Sequence, residues 1–238
     1  MTPEQHLQTL RAENGRFAAA AAGARDRHGW RAPVPGCPDW DLADLVWHLA
    51  GVQHFWSWVV TTRATSPAGY PEPLRPADDE LLDLGATQVR ALEDALARAD
   101  PADRVWTWAP QQDVAFVLRR QAQEATVHRV DAEQALGTTG AIGAEVGLDG
   151  LDEWLEVMVP GALPGGPPSG AEPVVFHAVD AGAERILFPG TSDLPVATLT
   201  GPAGDLLLAA WRRIPLGRLT VDGDADRAAA LLATVTLG

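Results

Sequence analysis

The sequence predicts an α+β protein in which a bundle of four helices precedes a smaller domain that mixes helices and strands. Residues 1–140 contain four stretches of about 20 residues whose apolar side chains recur at helical spacing, separated by segments rich in proline and glycine. A segment rich in Gly, Thr and Ala follows at 137–147 and is predicted to be a linker. Beyond it, short runs of apolar and β-branched residues indicate strands. We therefore predict two domains, 1–140 and 147–238.

The predicted helices of the first domain are separated by clear breaks. They cover residues 3–27, 41–62, 78–98 and 113–136. Asp41 is a suitable N-cap for the second helix, since its carboxylate can accept a hydrogen bond from the first turn. Proline-rich segments at 33–38 and 67–76 interrupt the helical pattern before and after this helix. Their positions favour an up-down arrangement of four helices.

The elements predicted after the linker are shorter. A helix at 148–159 is expected to end at Pro160. The remaining predicted elements are strands at 174–178, 185–188, 196–200 and 219–221, and helices at 202–213 and 225–234. Asp224 is the predicted cap of the last helix.

Composition excludes several classes of protein. With 18 basic and 32 acidic residues the net charge is −14, which argues against a general nucleic-acid binder. Cys37 is the only cysteine, so an intrachain disulfide and a cysteine-rich metal site are both excluded. No segment approaches the roughly 20 consecutive apolar residues of a membrane span, and the first residues are polar, unlike a signal peptide. We expect a cytoplasmic protein without membrane or nucleic-acid partners.

Spacing points to a metal site in the first domain. Glu124 and His128 are four residues apart in a predicted helix, so their side chains lie on one face. Asp131 falls on the same stripe. A third ligand is expected from a facing helix, and His48 is preferred to His54 because it lies at the edge of its helix's apolar stripe. Two histidines and one glutamate with an open coordination position are typical of a catalytic zinc site.

Alternative interpretations of these residues need no metal. A Glu–His pair four residues apart is often a solvated helix face, and Arg120 and Gln121 share the stripe. His48 could be a hydrogen-bonded core histidine. Cys37 could act as a nucleophile, but a lone cysteine is more often a small buried apolar residue.

The residues around the candidate ligands carry a family resemblance. The segments concerned are CPDWDLADLVWHLAG at 37–51, WTW at 106–108, RRQAQEATVHRVDAE at 119–133, GPAGDLLLAAWRR at 201–213 and VDGD at 221–224. Together they resemble the mycothiol-dependent maleylpyruvate isomerase family of actinobacteria, which belongs to the wider DinB-like metalloenzymes. The resemblance implies a DinB-like four-helix bundle followed by a sterol-carrier-like α+β domain.

The resemblance also implies roles for individual residues. His48, Glu124 and His128 each match a family zinc ligand within its local motif, and Asp131 matches a recurrent position that orients a ligand. A C-terminal arginine of the family binds substrate carboxylate in a Trp-Gly-Arg pattern. Arg213 matches that arginine, whereas Arg212 stands in place of the glycine, so either could contact substrate.

The implied cofactors are zinc, or another divalent metal, and mycothiol. In the implied reaction the thiol adds to the cis double bond of maleylpyruvate, the resulting single bond rotates, and elimination leaves fumarylpyruvate and free thiol. The same site could instead catalyse S-transfer, in which the thiol stays on a small anionic or electrophilic substrate. A non-catalytic protein that binds a metal or a small molecule on the same fold is the remaining alternative. The expected oligomeric state is a monomer or a homodimer.

Overall fold

The computed structural model describes residues 1–235, and its contacts divide the chain into two compact units, Met1–Gly140 and Ala141–Gly238. The first unit is helical and the second combines helices with a four-stranded sheet. This architecture confirms the predicted α+β class. The last three residues of the predicted second domain, 236–238, lie outside the described part of the chain. No helix among residues 1–235 is both long enough and apolar enough to span a membrane.

Four long helices form the first unit. They are α1 (Pro3–His28), α2 (Leu42–Thr62), α3 (Leu81–Arg98) and α4 (Val114–Leu136). Asp41 caps α2 as predicted, because its side chain accepts a hydrogen bond from the backbone N–H of Asp44 at 3.0 Å. The predicted start of α3 at residue 78 is wrong, since Asp78–Glu80 form a 3₁₀ turn before the α-helix begins.

The fourth helix is the most deeply buried of the four. Helix α1 packs mainly against α4, and α2 packs mainly against α3 and also against α4. As a result the polar side chains on α4 are shielded from solvent, including Arg120, Gln121, Arg129 and Asp131. This burial contradicts the interpretation of the α4 stripe as a solvated face. Buried polar groups of this kind need specific partners.

The second unit begins earlier than the sequence predicts. Its elements are α5 (Ala144–Glu153), α6 (Val159–Ala162), α7 (Ala203–Ala210), α8 (Ala225–Ala233), β1 (Val174–Ala178), β2 (Ala183–Leu187), β3 (Ala197–Gly201) and β4 (Thr220–Gly223). Helix α5 starts at Ala144, so the predicted linker at 137–147 is too long. Pro160 does not end the helical segment, which continues from α5 through a π-helical turn at Trp154–Met158 into α6.

The sheet has the strand order β2-β1-β3-β4. Strands β1 and β3 are parallel, and the two outer pairs are antiparallel. Helix α7 packs on β1, β3 and α5. The α5–α7 contact depends on glycine, because a Cβ added to Gly147 would lie 2.5 Å from the backbone nitrogen of Gly204.

Candidate metal centre

Two helices bring the three predicted ligands together. Helix α2 supplies His48, and α4 supplies Glu124 and His128. The Oε1 atom of Glu124 lies 3.1 Å from Nε2 of His48 and 3.2 Å from Nε2 of His128. One candidate ligand atom from each side chain lies within 4.8 Å of the others. The two imidazoles are also close to each other, with ring centroids 5.0 Å apart.

Glu124 is held as a carboxylate by cations on both sides. Its Oε2 atom accepts a hydrogen bond from Nη2 of Arg120 at 2.8 Å, one helical turn earlier. Burial by itself raises the pKa of Glu124, but the charge of His128 and the hydrogen bonds from both histidines outweigh it. The pKa therefore lies well below its usual value. Oε1 remains directed at the two imidazoles while Arg120 holds the other oxygen.

His128 is oriented by a second carboxylate. Its Nδ1 atom lies 2.8 Å from Oδ2 of Asp131, a side chain that is completely buried. Burial by itself lowers the pKa of His128, but Glu124 and Asp131 together raise it to about 9. The Nδ1–H group donates to Asp131, which turns Nε2 towards Glu124. A carboxylate behind a histidine in this way is a common partner of metal-binding imidazoles.

A tryptophan ring and an open cleft lie next to the candidate ligands. The ring of Trp40 lies 4.7 Å from that of His48 and 6.1 Å from that of His128, measured between centroids. A cleft of about 400 Å³ opens beside His48 and is lined by Trp40, Trp47, Tyr70, Asp44 and Glu72, among others. His48 is the most accessible of the three candidate ligands, with a third of its side chain exposed, whereas His128 is almost covered. A small molecule could therefore approach the centre from the His48 side.

The donor atoms fit a divalent first-row metal. Two imidazole nitrogens and one carboxylate oxygen form a borderline-soft set that suits zinc and its neighbours better than magnesium or calcium. Asp131 is engaged with His128 on the far side of that ring, so these contacts leave the ligand number at three. A three-ligand set has room for an exogenous ligand.

Other predicted residues lie away from the three ligands. His54 takes no part, since its Nδ1 atom lies 2.7 Å from the hydroxyl oxygen of Tyr70. The Sγ atom of Cys37 lies 3.8 Å from Oδ2 of Asp131, so the cysteine packs behind the centre. Trp40 belongs to the site and was missed by the sequence analysis. Arg120 also belongs to it, although the sequence analysis named it only in support of a solvated helix face. The position of Arg120, four residues before Glu124 on one helix, is a spacing signal that could have identified it.

The two candidate substrate arginines differ in their surroundings within the second unit. Arg212 lies two residues after the end of α7 and adopts the left-handed conformation, with φ 57°. Its Nη1 atom donates to the carbonyl oxygen of Val235 at 3.2 Å, near the end of the last helix. Arg213 is half-buried, its Nη1 donates to the carbonyl oxygen of Trp211 at 3.0 Å, and its guanidinium lies 5.8 Å from the centroid of the Trp211 ring.

Comparisons with known proteins cover both units. The model of the mycothiol maleylpyruvate isomerase N-terminal domain matches residues 10–133, and the model of the MDMPI C-terminal domain matches residues 145–230. A crystal structure of the mycothiol-dependent maleylpyruvate isomerase is similar, with TM-score 0.66, 16% identity and 93% of each chain covered. Its histidine-to-alanine mutant gives TM-score 0.68 and 15% identity over 93% of each chain. No curated protein sequence matches. Because the two family models together span most of the chain, this protein belongs to the mycothiol maleylpyruvate isomerase family.

Proposed function

We propose that this protein is a metal-dependent enzyme that uses mycothiol and adds the thiol to a small electrophile. One observation carries the proposal. His48, Glu124 and His128 converge beside an open cleft in a chain of the maleylpyruvate isomerase family. The solved relative of similar fold is described as mycothiol-dependent. Zinc is the metal that we propose, with other divalent first-row ions as alternatives.

When bound, the metal supplies positive charge that stabilises the thiolate form of a thiol at neutral pH. The protein's own residues hold the donor atoms in place. Asp131 accepts the Nδ1 proton of His128 and keeps Nε2 available. Arg120 binds one oxygen of Glu124, so the other oxygen faces the two imidazoles. Trp40 packs against both histidine rings.

Two reactions are consistent with this arrangement. In isomerisation, sulfur adds to a cis double bond, the new single bond rotates, and elimination restores the double bond and releases the thiol unchanged. In S-transfer, the carbon–sulfur bond that forms is retained and one thiol is consumed for each product. The two reactions are separated by incubating the metal-loaded protein with mycothiol and maleylpyruvate, and with a panel of other electrophiles. Product without loss of thiol identifies an isomerase, and stoichiometric loss of thiol identifies a transferase.

Metal content tests the core of the proposal. Protein purified without a histidine tag and supplied with zinc should hold close to one metal ion per chain. His48→Ala and His128→Ala should each abolish binding, because two remaining ligands form no stable site. The exposed His28→Ala serves as the matched control and should leave the metal content unchanged. Less than about 0.2 metal ion per chain in the wild-type protein would contradict the proposal.

Arg213 is proposed to bind a substrate carboxylate. Arg213→Gln should lower kcat/KM for a carboxylate substrate by roughly tenfold or more, since it removes a charge-assisted hydrogen bond. Arg212→Gly is the matched control, because glycine adopts the left-handed conformation found there and removes the neighbouring charge. Equal losses in the two variants would argue against a specific role for Arg213.

A non-catalytic binding protein is the alternative. It would hold metal as expected but show no activity with mycothiol or another low-molecular-weight thiol towards any electrophile. The cleft beside His48 favours the enzyme, because a purely structural metal site is normally closed by a fourth protein ligand.

A further inference from the structure

Arg120 is a buried cation that contacts one oxygen of a candidate metal ligand. Only 5% of its side chain is exposed, and its Nη2 atom donates to Oε2 of Glu124 at 2.8 Å. Both residues lie on α4, one helical turn apart. Burying a charged side chain is unfavourable unless the charge is paired, so this contact is a firm one. It fixes which oxygen of Glu124 stays available to a metal.

The other oxygen of Glu124 already has the spacing of a tetrahedral metal site. Oε1 lies 3.1 Å from Nε2 of His48 and 3.2 Å from Nε2 of His128. Two donor atoms that each lie about 2.0 Å from a zinc ion, at the tetrahedral angle, are about 3.3 Å apart. The three side chains can therefore supply one donor atom each with little movement. Binding through both oxygens of Glu124 would bring the metal towards the guanidinium of Arg120, and repulsion between the two cations opposes this.

Arg120 also changes the net charge around the metal position. A divalent ion brings two positive charges, and the carboxylates of Glu124 and Asp131 bring one negative charge each. The two histidines are neutral when they ligate a metal. Arg120 adds one positive charge, so the sum of these groups is one positive charge with the arginine and zero without it. An exogenous thiolate, with one negative charge, is therefore attracted to the centre only when Arg120 is present.

We propose that Arg120 is a positioning residue that keeps Glu124 a one-oxygen ligand and leaves one coordination position, with a matching positive charge, for the sulfur of an exogenous thiol. The inference rests on the proposed metal-dependent function. Without Arg120, the second oxygen of Glu124 reaches the metal, so the protein supplies four donor atoms instead of three. The extra donor and the lost positive charge both weaken thiolate binding. Zinc itself is still held by His48, Glu124 and His128.

Cobalt(II) and 2-mercaptoethanol are the probes that test this role. Cobalt takes the place of zinc, its visible absorption is stronger with four donors than with five, and a bound sulfur adds absorption in the near ultraviolet. The full-length protein is loaded with an equimolar amount of cobalt(II) and titrated with 2-mercaptoethanol. Arg120→Met should bind this thiol about tenfold more weakly than the wild-type protein. Its visible absorption before the thiol is added should also be weaker, because a fifth donor atom is bound.

Two further variants separate the proposed role from a general loss of structure. Arg120→Lys keeps a buried cation that can donate to Glu124, so its affinity for 2-mercaptoethanol should stay close to that of the wild-type protein. Arg98→Met is the matched control, because Arg98 also lies four residues from a carboxylate on its helix, at 3.8 Å from Asp94, but on the exposed side of α3. This variant should leave cobalt absorption and thiol affinity unchanged. Thermal melting establishes that each variant is folded.

X-ray absorption of the zinc-loaded wild-type protein counts the donor atoms without any substitution. With 2-mercaptoethanol present, it should show four donors, of which one is sulfur. Zinc with five donors and both oxygens of Glu124 bound would overturn the inference, and so would wild-type thiol affinity or unchanged visible absorption in Arg120→Met. A wild-type protein that binds neither zinc nor cobalt would overturn the proposed function as well, so the two failures are distinguishable.

Discussion

Asp131 shows how a residue that does not face the metal position can control it. The carboxylate accepts a hydrogen bond from Nδ1 of His128 at 2.8 Å and lies in a fully buried position. Its charge favours the tautomer and the ring orientation that present Nε2 to a metal. We predict that Asp131→Asn weakens zinc binding by roughly 10- to 100-fold while the helices remain intact. Competition with a chelator of known affinity measures the effect.

The control for this prediction is Asp94→Asn. Asp94 is exposed on α3 and its nearest cation is Arg98, at 3.8 Å. This substitution also replaces a carboxylate by an amide but should leave zinc affinity unchanged. An Asp131→Asn protein with wild-type affinity would mean that the surrounding helices alone orient His128.

Helix geometry predicted the identity of the three candidate ligands but not the rest of their environment. The angular position of His48 on its helix distinguished it from His54, and the structure places His48 beside Glu124. The contact of Trp40 with the histidines could not be predicted, because Trp40 precedes α2 and its ring position depends on how the loop folds back. The same holds for Cys37, which reaches Asp131 across 94 positions of the sequence.

At the scale of elements, glycines in helices have opposite roles in the two units. Gly85 in α3 has room for a methyl group, whereas a Cβ at Gly147 in α5 would lie 2.5 Å from a backbone atom of α7. We predict that Gly85→Ala stabilises the protein by about 0.5–1 kcal/mol. Gly147→Ala should destabilise it by about 1–3 kcal/mol, because the clash is with backbone that cannot rotate away.

Denaturant unfolding followed by tryptophan fluorescence measures both changes, and hydrogen exchange assigns each to its helix. Gly51→Ala is a second reference, since a Cβ at this position in α2 meets no atom within 4 Å. If Gly147→Ala were as stable as the wild-type protein, α5 and α7 would have to separate without cost.

Helices α1 and α4 are linked by a buried arginine with two carboxylates. Arg129 is 0% exposed and donates from Nε to Glu13 at 2.6 Å and from Nη1 to Glu133 at 2.9 Å. Its Nη1 also donates to the carbonyl oxygen of Gly140 at 2.8 Å. A buried guanidinium that loses a partner is strongly unfavourable, so these contacts fix the end of α4 and the turn after it.

The Glu133 carboxylate makes this link sensitive to acid. Burial by itself raises its pKa, but hydrogen bonds from Arg129 and from the backbone N–H of Gly140 lower the pKa below the usual 4.5. A lowered pKa in the folded state means that stability is present above the unfolded pKa and is lost as the pH falls. We predict that Glu133→Gln lowers the free energy of unfolding of the first unit at pH 7. The difference in unfolding free energy between this variant and the wild-type protein should shrink below pH 4.5.

Unfolding curves at a series of pH values test the link. The exposed Glu72→Gln is the control and should follow the wild-type curve throughout. If Glu133→Gln lost the same unfolding free energy at pH 3 as at pH 7, the loss would come from packing and not from the carboxylate charge.

The elements of the first unit were easier to predict than those of the second for a physical reason. Long helices carry many periods of apolar spacing and strong caps such as Asp41, so their bounds are well determined. Helix α5 begins earlier than predicted, because the glycines at 143 and 147 suggest a linker in the sequence. In the structure residue 143 is the N-cap of α5, and Gly147 allows the close contact with α7. A short strand such as β2 contains only two or three alternations of apolar and polar residues, so its first and last residues are hard to predict.

At the scale of the whole molecule, the candidate ligands and the candidate substrate arginine belong to different units. His48, Glu124 and His128 lie in Met1–Gly140, and Arg213 lies in Ala141–Gly238. Metal binding through these three ligands would therefore depend on the fold of the first unit. This division explains why the metal ligands can be inferred without knowing the substrate.

The same division predicts how removal of the metal affects stability. Zinc that binds only the folded first unit stabilises it by mass action, by about 4 kcal/mol when free zinc exceeds the dissociation constant 1,000-fold. Hydrogen exchange should therefore slow in α2 and α4 when zinc replaces EDTA, while β1 and β3 of the second unit exchange at unchanged rates. In His48→Ala, hydrogen exchange in α2 and α4 should be as fast with zinc as with EDTA. This variant therefore separates specific binding from a general effect of zinc. Protection that extends equally to the sheet would require the two units to unfold together, because none of the three ligands comes from the second unit.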